Sequence, residues 1–258
     1  MSLLAAISSS RRRAPAGYDI DAAEWFSAVV AAGSSVSDNN KTAVSAFVEG
    51  CKSDGIWTAM KSTQLLCAAS SLAGALVPLK GTAPSGGGGF TESNYSTTTG
   101  LIAGTIYGQA LYTNRAQTAD PQDSLHACSY VTFVGNGYFM GLTTSVASAG
   151  STSLGSGGVR CRNSAGIIPT NIATVNNLFG VSRSNSSNFT IRSNNISEII
   201  TQNSQASSGG NYVFYGYPGN GGSYYANSRM SFYSLGESLD LALLDARVKT
   251  LMTSLLLT

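Results

Sequence analysis

Apolar and polar positions alternate most clearly between Asn188 and Thr201. Phe189 and Ile191 alternate with Thr190 and Arg192 on one arm, and Ile196, Ile199 and Ile200 supply the other. Asn194 and Asn195 lie between the arms. Asn accepts the left-handed backbone of a tight turn, so the stretch predicts a β-hairpin. A hairpin with an apolar face pairs within a sheet and covers a core. Other strand-like runs occupy residues 105–112, 129–134, 138–143, 159–162, 178–182, 212–217 and 229–235. Gly135-Asn136-Gly137 predicts the turn between the second and third of them. Short strands at this spacing predict a sandwich or barrel. Residues 145–158 read as a Ser/Gly loop, and Pro218 to Tyr225 as a Gly/Tyr loop.

Helical periodicity is confined to the two ends of the chain. Asp21 and Glu24 have the spacing of an N-cap and its reciprocal partner, followed by Trp25, Phe26, Val29 and Val30 on one face and Gly33 at the end. A second helix is predicted from Ser37, with Val44, Phe47, Val48 and Cys51 at helical spacing and Asp54-Gly55 closing it. Trp25 and Trp57 both fall on apolar helical faces and read as core. A short helix is predicted from Ser70 to Val77, stopped by Pro78. Thr82 to Gly89 reads as a linker; its four glycines lack the Gly-Lys-Ser/Thr of a phosphate-binding loop. A last helix, capped by Ser238 with Asp240 near its positive end, carries Leu241, Leu244, Val248, Leu251, Met252 and Leu255 as one stripe. The organisation expected is an arm at 1–18, a helical module at 19–81, and a sandwich with a closing helix at 82–258.

Composition narrows the function classes. Charged residues make up 11% of the 258, the formal net charge is +2, and there are 29 glycines. This charge balance gives no case for nucleic acid or acidic membranes. A surface of hydroxyls, amides and glycine suits packing against other subunits or contact with neutral sugars. No apolar run reaches the ~20 residues of a membrane span, so no membrane insertion is expected. The first residues place Arg11, Arg12 and Arg13 after the apolar Leu3, Leu4 and Ile7, the reverse of a signal peptide. They read as an anchoring arm whose apolar tip is buried in a partner and whose arginines pair with its carboxylates. Cys51, Cys67, Cys128 and Cys161 are widely separated, form no metal-ligand spacing, and read as buried thiols, with a sparse disulfide set as the alternative.

Three stretches carry a family resemblance. The run from Asn177 to Asn195 (NLFGVSRSNSSNFTIRSNN) resembles the stretch through the hairpin of concanavalin A-like, laminin G-like jelly rolls of bacteriophage virion and tail proteins. In this chain the turn is Asn194-Asn195 where the family usually has Asn-Gly. The run from Arg229 to Leu239 is similar to the family's last strand and closing helix. The run from Val48 to Met60 resembles the helix that precedes the jelly roll in these phage proteins. The resemblance implies a mainly β fold, an antiparallel two-sheet jelly-roll sandwich, and a place on the surface of a phage particle.

The chemistry available is sparse. Between the glycine run and the last helix the carboxylates are Glu92, Asp120, Asp123, Glu198 and Glu237, without the paired pattern that glycoside hydrolysis needs. His126 is the one histidine, and no Gly-x-Ser-x-Gly elbow accompanies it. The acid count argues against a strong calcium site. The expectation is therefore a chain that is not an enzyme, with no catalytic residues, no metal and no cofactor. Tyr215, Tyr217, Asn220, Tyr224 and Tyr225 combine rings and amides within one Gly-rich segment and are the candidate contacts for a glycan. Leu3, Leu4, Ile7, Arg11, Arg12 and Arg13 are the candidate anchors to other virion proteins. The function expected is a structural protein of a phage particle, of tail-fibre or adhesin type. It would be a homo-oligomer, with a trimer among the options, presenting its jelly roll to host surface glycan. The alternatives are a capsid decoration or head-fibre protein and, more remotely, a secreted lectin or glycanase.

Overall fold

A computed structural model describes residues 17–256, apart from 88, 104–108, 136, 145–149, 156–157, 164, 171–174, 208 and 216–225. The elements in order are α1 (Ile20–Ala31), α2 (Asp38–Ser53), β1 (Met60–Leu65), α3 (Leu72–Ala75), β2 (Ser85–Gly87), β3 (Tyr95–Ser96) and β4 (Gly100–Ile102). Then follow β5 (Ala110–Ala116), β6 (Leu125–Phe133), β7 (Tyr138–Leu142), β8 (Ser151–Gly155), β9 (Arg160–Asn163) and β10 (Asn177–Arg183). The hairpin β11 (Asn188–Ser193) and β12 (Ile196–Thr201), then β13 (Asn211–Phe214), β14 (Arg229–Gly236) and α4 (Leu241–Leu256) complete the chain.

The protein is mainly β, with two antiparallel sheets forming a sandwich. Among the described residues the larger sheet has eight strands, ordered β12-β11-β10-β6-β14-β4-β3 with β1 also on β14. The smaller has six, ordered β2-β5-β13-β7-β8-β9. The chain crosses repeatedly between the sheets, which makes the sandwich jelly-roll-like. One edge of β14 is shared: Arg229 and Met230 pair with β4, and Phe232 to Gly236 pair with β1. The stretch read as a helical module thus also contributes a strand. Met60–Leu65 was not predicted as one, because its polar Lys61, Ser62, Thr63 and Gln64 give no alternation to read.

Three layers result. The helices pack on the outer face of the larger sheet, and their core joins Trp25, Val29, Val44, Phe47, Leu244, Val248 and Leu251 to Cys128, Tyr130, Leu178 and Phe232 of the sheet. A second core lies between the two sheets, where Val131, Phe139, Phe179, Phe189, Ile191, Tyr212, Phe214, Met230 and Tyr233 meet. Each large apolar side chain buried here stabilises the fold by roughly 1.5–3 kcal/mol before entropy is counted. Strands β6, β10 and β14 are therefore buried on both faces, and small residues fill the tight places. A Cβ on Gly180 would lie 2.4 Å from the Cβ of Cys128.

Several local expectations need correction. The first helix is capped by Asp19, whose side chain accepts from the Asp21 amide; Asp21 instead accepts from the Trp57 indole at 2.9 Å. Ser37 caps α2 as predicted. At α4 the Asp240 carboxylate accepts from the Ala242 amide at 2.7 Å, while Ser238 pairs with Ser124. Part of the glycine linker is the edge strand β2. Part of the Ser/Gly loop is β8, a fully buried hydroxyl strand. All four cysteines are buried free thiols, and burial pushes those of Cys51, Cys67 and Cys161 up to about 12.

Candidate functional site

The hairpin generates the site. Asn194 and Asn195 both take left-handed backbone, with φ of 49° and 66°, which is a type I′ turn whose twist matches its strands. Phe189 and Ile191 point into the sandwich. Thr190 and Arg192, with Ser197 and Ile199 across from them, point to the outer face. There Arg192 reaches the buried carboxylate of Asp245 on α4 at 2.8 Å, with Lys249 at 3.0 Å. This pairing holds α4 against the hairpin close to its turn.

Between the hairpin and the start of α4 is a groove of about 560 Å³. Its floor is Ser182, Ser184, Thr190, Ser197 and Ile199, and its wall is Ser238 to Leu241. Ser182 stitches wall to floor: its hydroxyl donates to the Leu239 carbonyl at 2.8 Å and accepts from the Leu239 amide at 3.2 Å. The charges nearby are committed. Asp240 caps α4, and Arg192 holds Asp245 and Ser197. The hydroxyls of Ser184 and Thr190 have no protein partner among the described residues. The groove therefore offers alcohol groups, one exposed aliphatic side chain and one carboxylate, Asp240, which accepts from helix amides and has no ion pair among the described residues. That set suits a neutral polyhydroxylated ligand, with Ile199 available to the apolar face of a sugar ring.

A second hollow of about 300 Å³ lies between α1 and residues 78–81. Its polar groups serve the fold. The Trp25 indole donates to the Val77 carbonyl, and Lys80 donates to the Trp57 carbonyl at 2.6 Å while lying 4.6 Å from the Trp57 ring centroid. Burial holds the Lys80 ammonium below its usual range. Both indoles are buried, Trp25 on the helical face predicted for it and Trp57 in the turn between α2 and β1 rather than on a helix.

Of the glycan contacts read from sequence, the structure describes Tyr215 alone, and it is not at the surface. Tyr215 is fully buried; its hydroxyl donates to the Leu101 carbonyl at 2.6 Å, and its ring lies against Phe90. The cause is local. Tyr215 takes left-handed backbone, with φ of 64°, so the alternation ends at Phe214 and the next side chain turns under the sandwich. Tyr215 is therefore removed from the candidate contacts. Tyr217, Asn220, Tyr224 and Tyr225 lie outside the described residues, as do the anchors Leu3, Leu4, Ile7, Arg11, Arg12 and Arg13. The signal for the groove was present but indirect: Ser197 and Ile199 fall on the face opposite Ile196 and Ile200 once the strand period is applied strictly.

His126 and Ser234 form a hydrogen-bonded pair inside the larger sheet. The histidine Nδ1 donates to the Glu237 carbonyl at 2.6 Å, which leaves Nε2 to accept from the Ser234 hydroxyl at 2.9 Å. Both residues are fully buried, and burial lowers the imidazole pKa to about 4. The pair cross-links β6 to β14 and has no access to a substrate. Among the described residues no group of three or more His, Cys, Asp or Glu is placed to hold a metal ion, and no helix is long and apolar enough to cross a membrane.

No family model and no curated protein matches the chain. Among solved structures it is similar to a mutant of Trypanosoma rangeli sialidase displaying trans-sialidase activity, at 9% identity and a TM-score of 0.46. That match covers 81% of this chain, which spans 39% of the sialidase chain. A second similar structure is titled HCR/D-Sa-GBL1/C, at 14% identity and a TM-score of 0.34, covering 59% of this chain and 41% of that one. The first match corrects one expectation. The expectation that this chain is not an enzyme is withdrawn, the first of these similar structures being a sialidase mutant displaying trans-sialidase activity. Likenesses this slight assign no activity in its place.

Proposed function

We propose that this chain is a surface module of a bacteriophage particle that holds a neutral saccharide in the groove between the β11–β12 hairpin and the start of α4. The observation that supports it best is the groove's chemistry: hydroxyls from Ser184 and Thr190 without protein partners among the described residues, an exposed Ile199, and the nearby Arg192 already paired with Asp245. Neutral sugars are bound by such sets of hydrogen-bonding groups around an apolar patch on a preformed surface. The virion setting rests on the sequence resemblance, and the low overall charge agrees with it.

A glycan array and a host-cell binding assay test the reading. The intact protein is expected to bind a neutral oligosaccharide saturably. Thr190→Trp, which fills the floor from a half-exposed position, is expected to weaken that binding by about tenfold or more, a loss of at least ~1.4 kcal/mol. Binding that survives Thr190→Trp unchanged moves the site elsewhere, and no binding to any glycan removes the proposal.

A further inference from the structure

The described strands leave five sheet edges, and four are unsuited to pairing with another chain. β1 carries Lys61 and is bridged on its outer side from Thr63 to Lys80. β3 is two residues long and β2 is three, two of them glycine. β9 carries Arg160 and Arg162, has a register shift against β8, and is flanked by a bridge from Val159 to Ile167. Short strands, charge and irregularity are the usual protections of an edge. β12 has only one of them, the single charge of Glu198. It runs six residues in unbroken register with β11, holds no Lys, Arg or Pro, and exposes Ile196 at 49% and Ile199 at 72%.

We infer that the β12 edge is the contact by which two copies of this chain pair, antiparallel about a two-fold axis, so that their larger sheets run on as one. The occupant follows from the strand's self-complementarity. With a two-residue turn, Ser193 and Ile196 form the first hydrogen-bonded pair, so residues 196, 198 and 200 bond inward to β11. The amides and carbonyls of Ser197, Ile199 and Thr201 therefore point outward. Placing Ile199 opposite Ile199 of a second copy also sets Ser197 opposite Thr201 and gives about six backbone hydrogen bonds. It matches aliphatic to aliphatic and hydroxyl to hydroxyl, the pairs that stabilise sheets. The strand's one charge, Glu198, then faces Ile200 of the second copy. The neighbouring register, centred on Glu198, would set two carboxylates face to face. The pairing also bears on the groove, which is open on its β12 side: Ile199 of the second copy would line that side, and two grooves would lie together across the axis.

Light scattering on the size-separated full chain tests this, with no ligand present, so that its outcome is independent of saccharide binding. At roughly 100 µM, well above a Kd of about 10 µM, the protein is expected to run at twice its chain mass. Ile199→Lys places a charge on the outward face without touching the core. It is expected to give a monomer with an unchanged circular-dichroism spectrum and thermal midpoint. Ile199→Val, which keeps the aliphatic pair, is expected to remain dimeric. A monomeric wild-type protein at this concentration, or a dimer that persists in Ile199→Lys, overturns the inference.

Discussion

Arg183 shows how much one side chain organises at the residue scale. It is fully buried, and its guanidinium donates to the carbonyls of Cys161, Asn185, Asn188 and Gln202 at 2.8–3.1 Å. It thus ties β9, the turn before β11 and the segment after β12 into one corner beside the groove. Burial holds it below the usual arginine range, and four carbonyl dipoles take the place of a paired carboxylate. Arg183→Met leaves those carbonyls without a donor. A loss of roughly 3 kcal/mol or more is expected, read as a fall in the denaturant midpoint. His126 gives a pH dependence. Its folded pKa of about 4 lies below the ordinary 6.5, so acid favours the unfolded chain. The stability the neutral ring confers is whole above the unfolded value and is lost as pH falls from about 6.5 toward 4. Between about pH 7 and pH 5 this amounts to on the order of 2 kcal/mol. Urea melts of wild type and His126→Gln are expected to show that loss shrinking in the variant.

Charge and packing decide the elements together. Asp245 is almost fully buried on α4 and is held by Arg192 from the hairpin. Asp245→Ala leaves a half-buried arginine without its carboxylate, and a cost of about 2–3 kcal/mol is expected in chemical denaturation. The hairpin, the two long N-terminal helices and α4 were legible because their apolar spacing agrees with their structure, although of the helix N-caps only Ser37 was placed correctly. Strands β1 and β8 were not, because Lys61–Gln64 and Ser151–Ser153 are polar residues buried by their neighbours, and no local pattern reports that. The hairpin was legible only in part. Ile199 was grouped with Ile196 and Ile200, yet it stands on the opposite face, exposed, at the groove. Tyr215 was misplaced for the same kind of reason: a single left-handed residue ended the alternation on which its exposure had been read.

At the scale of the whole molecule, the sandwich has a helical layer on one sheet only. The larger sheet is thus a middle layer, and its central strands have no free face. Function is left to corners and edges. The groove lies between the hairpin and the start of α4, and β12 lies where the sheet itself ends. The sequence carried only an indirect signal of them, the strand period that sets Ser197 and Ile199 on the outer face, because each is defined by what a distant element fails to cover.

The most direct test of the saccharide reading is an amide chemical-shift titration of the isotopically labelled chain with the neutral oligosaccharide that the array selects. The account predicts saturable shifts centred on Ser182, Ser184, Thr190, Ser197 and Ile199 of the floor and on Ser238 to Leu241 of the wall. Shifts confined to residues 215–225, or none at saturating sugar, would contradict it.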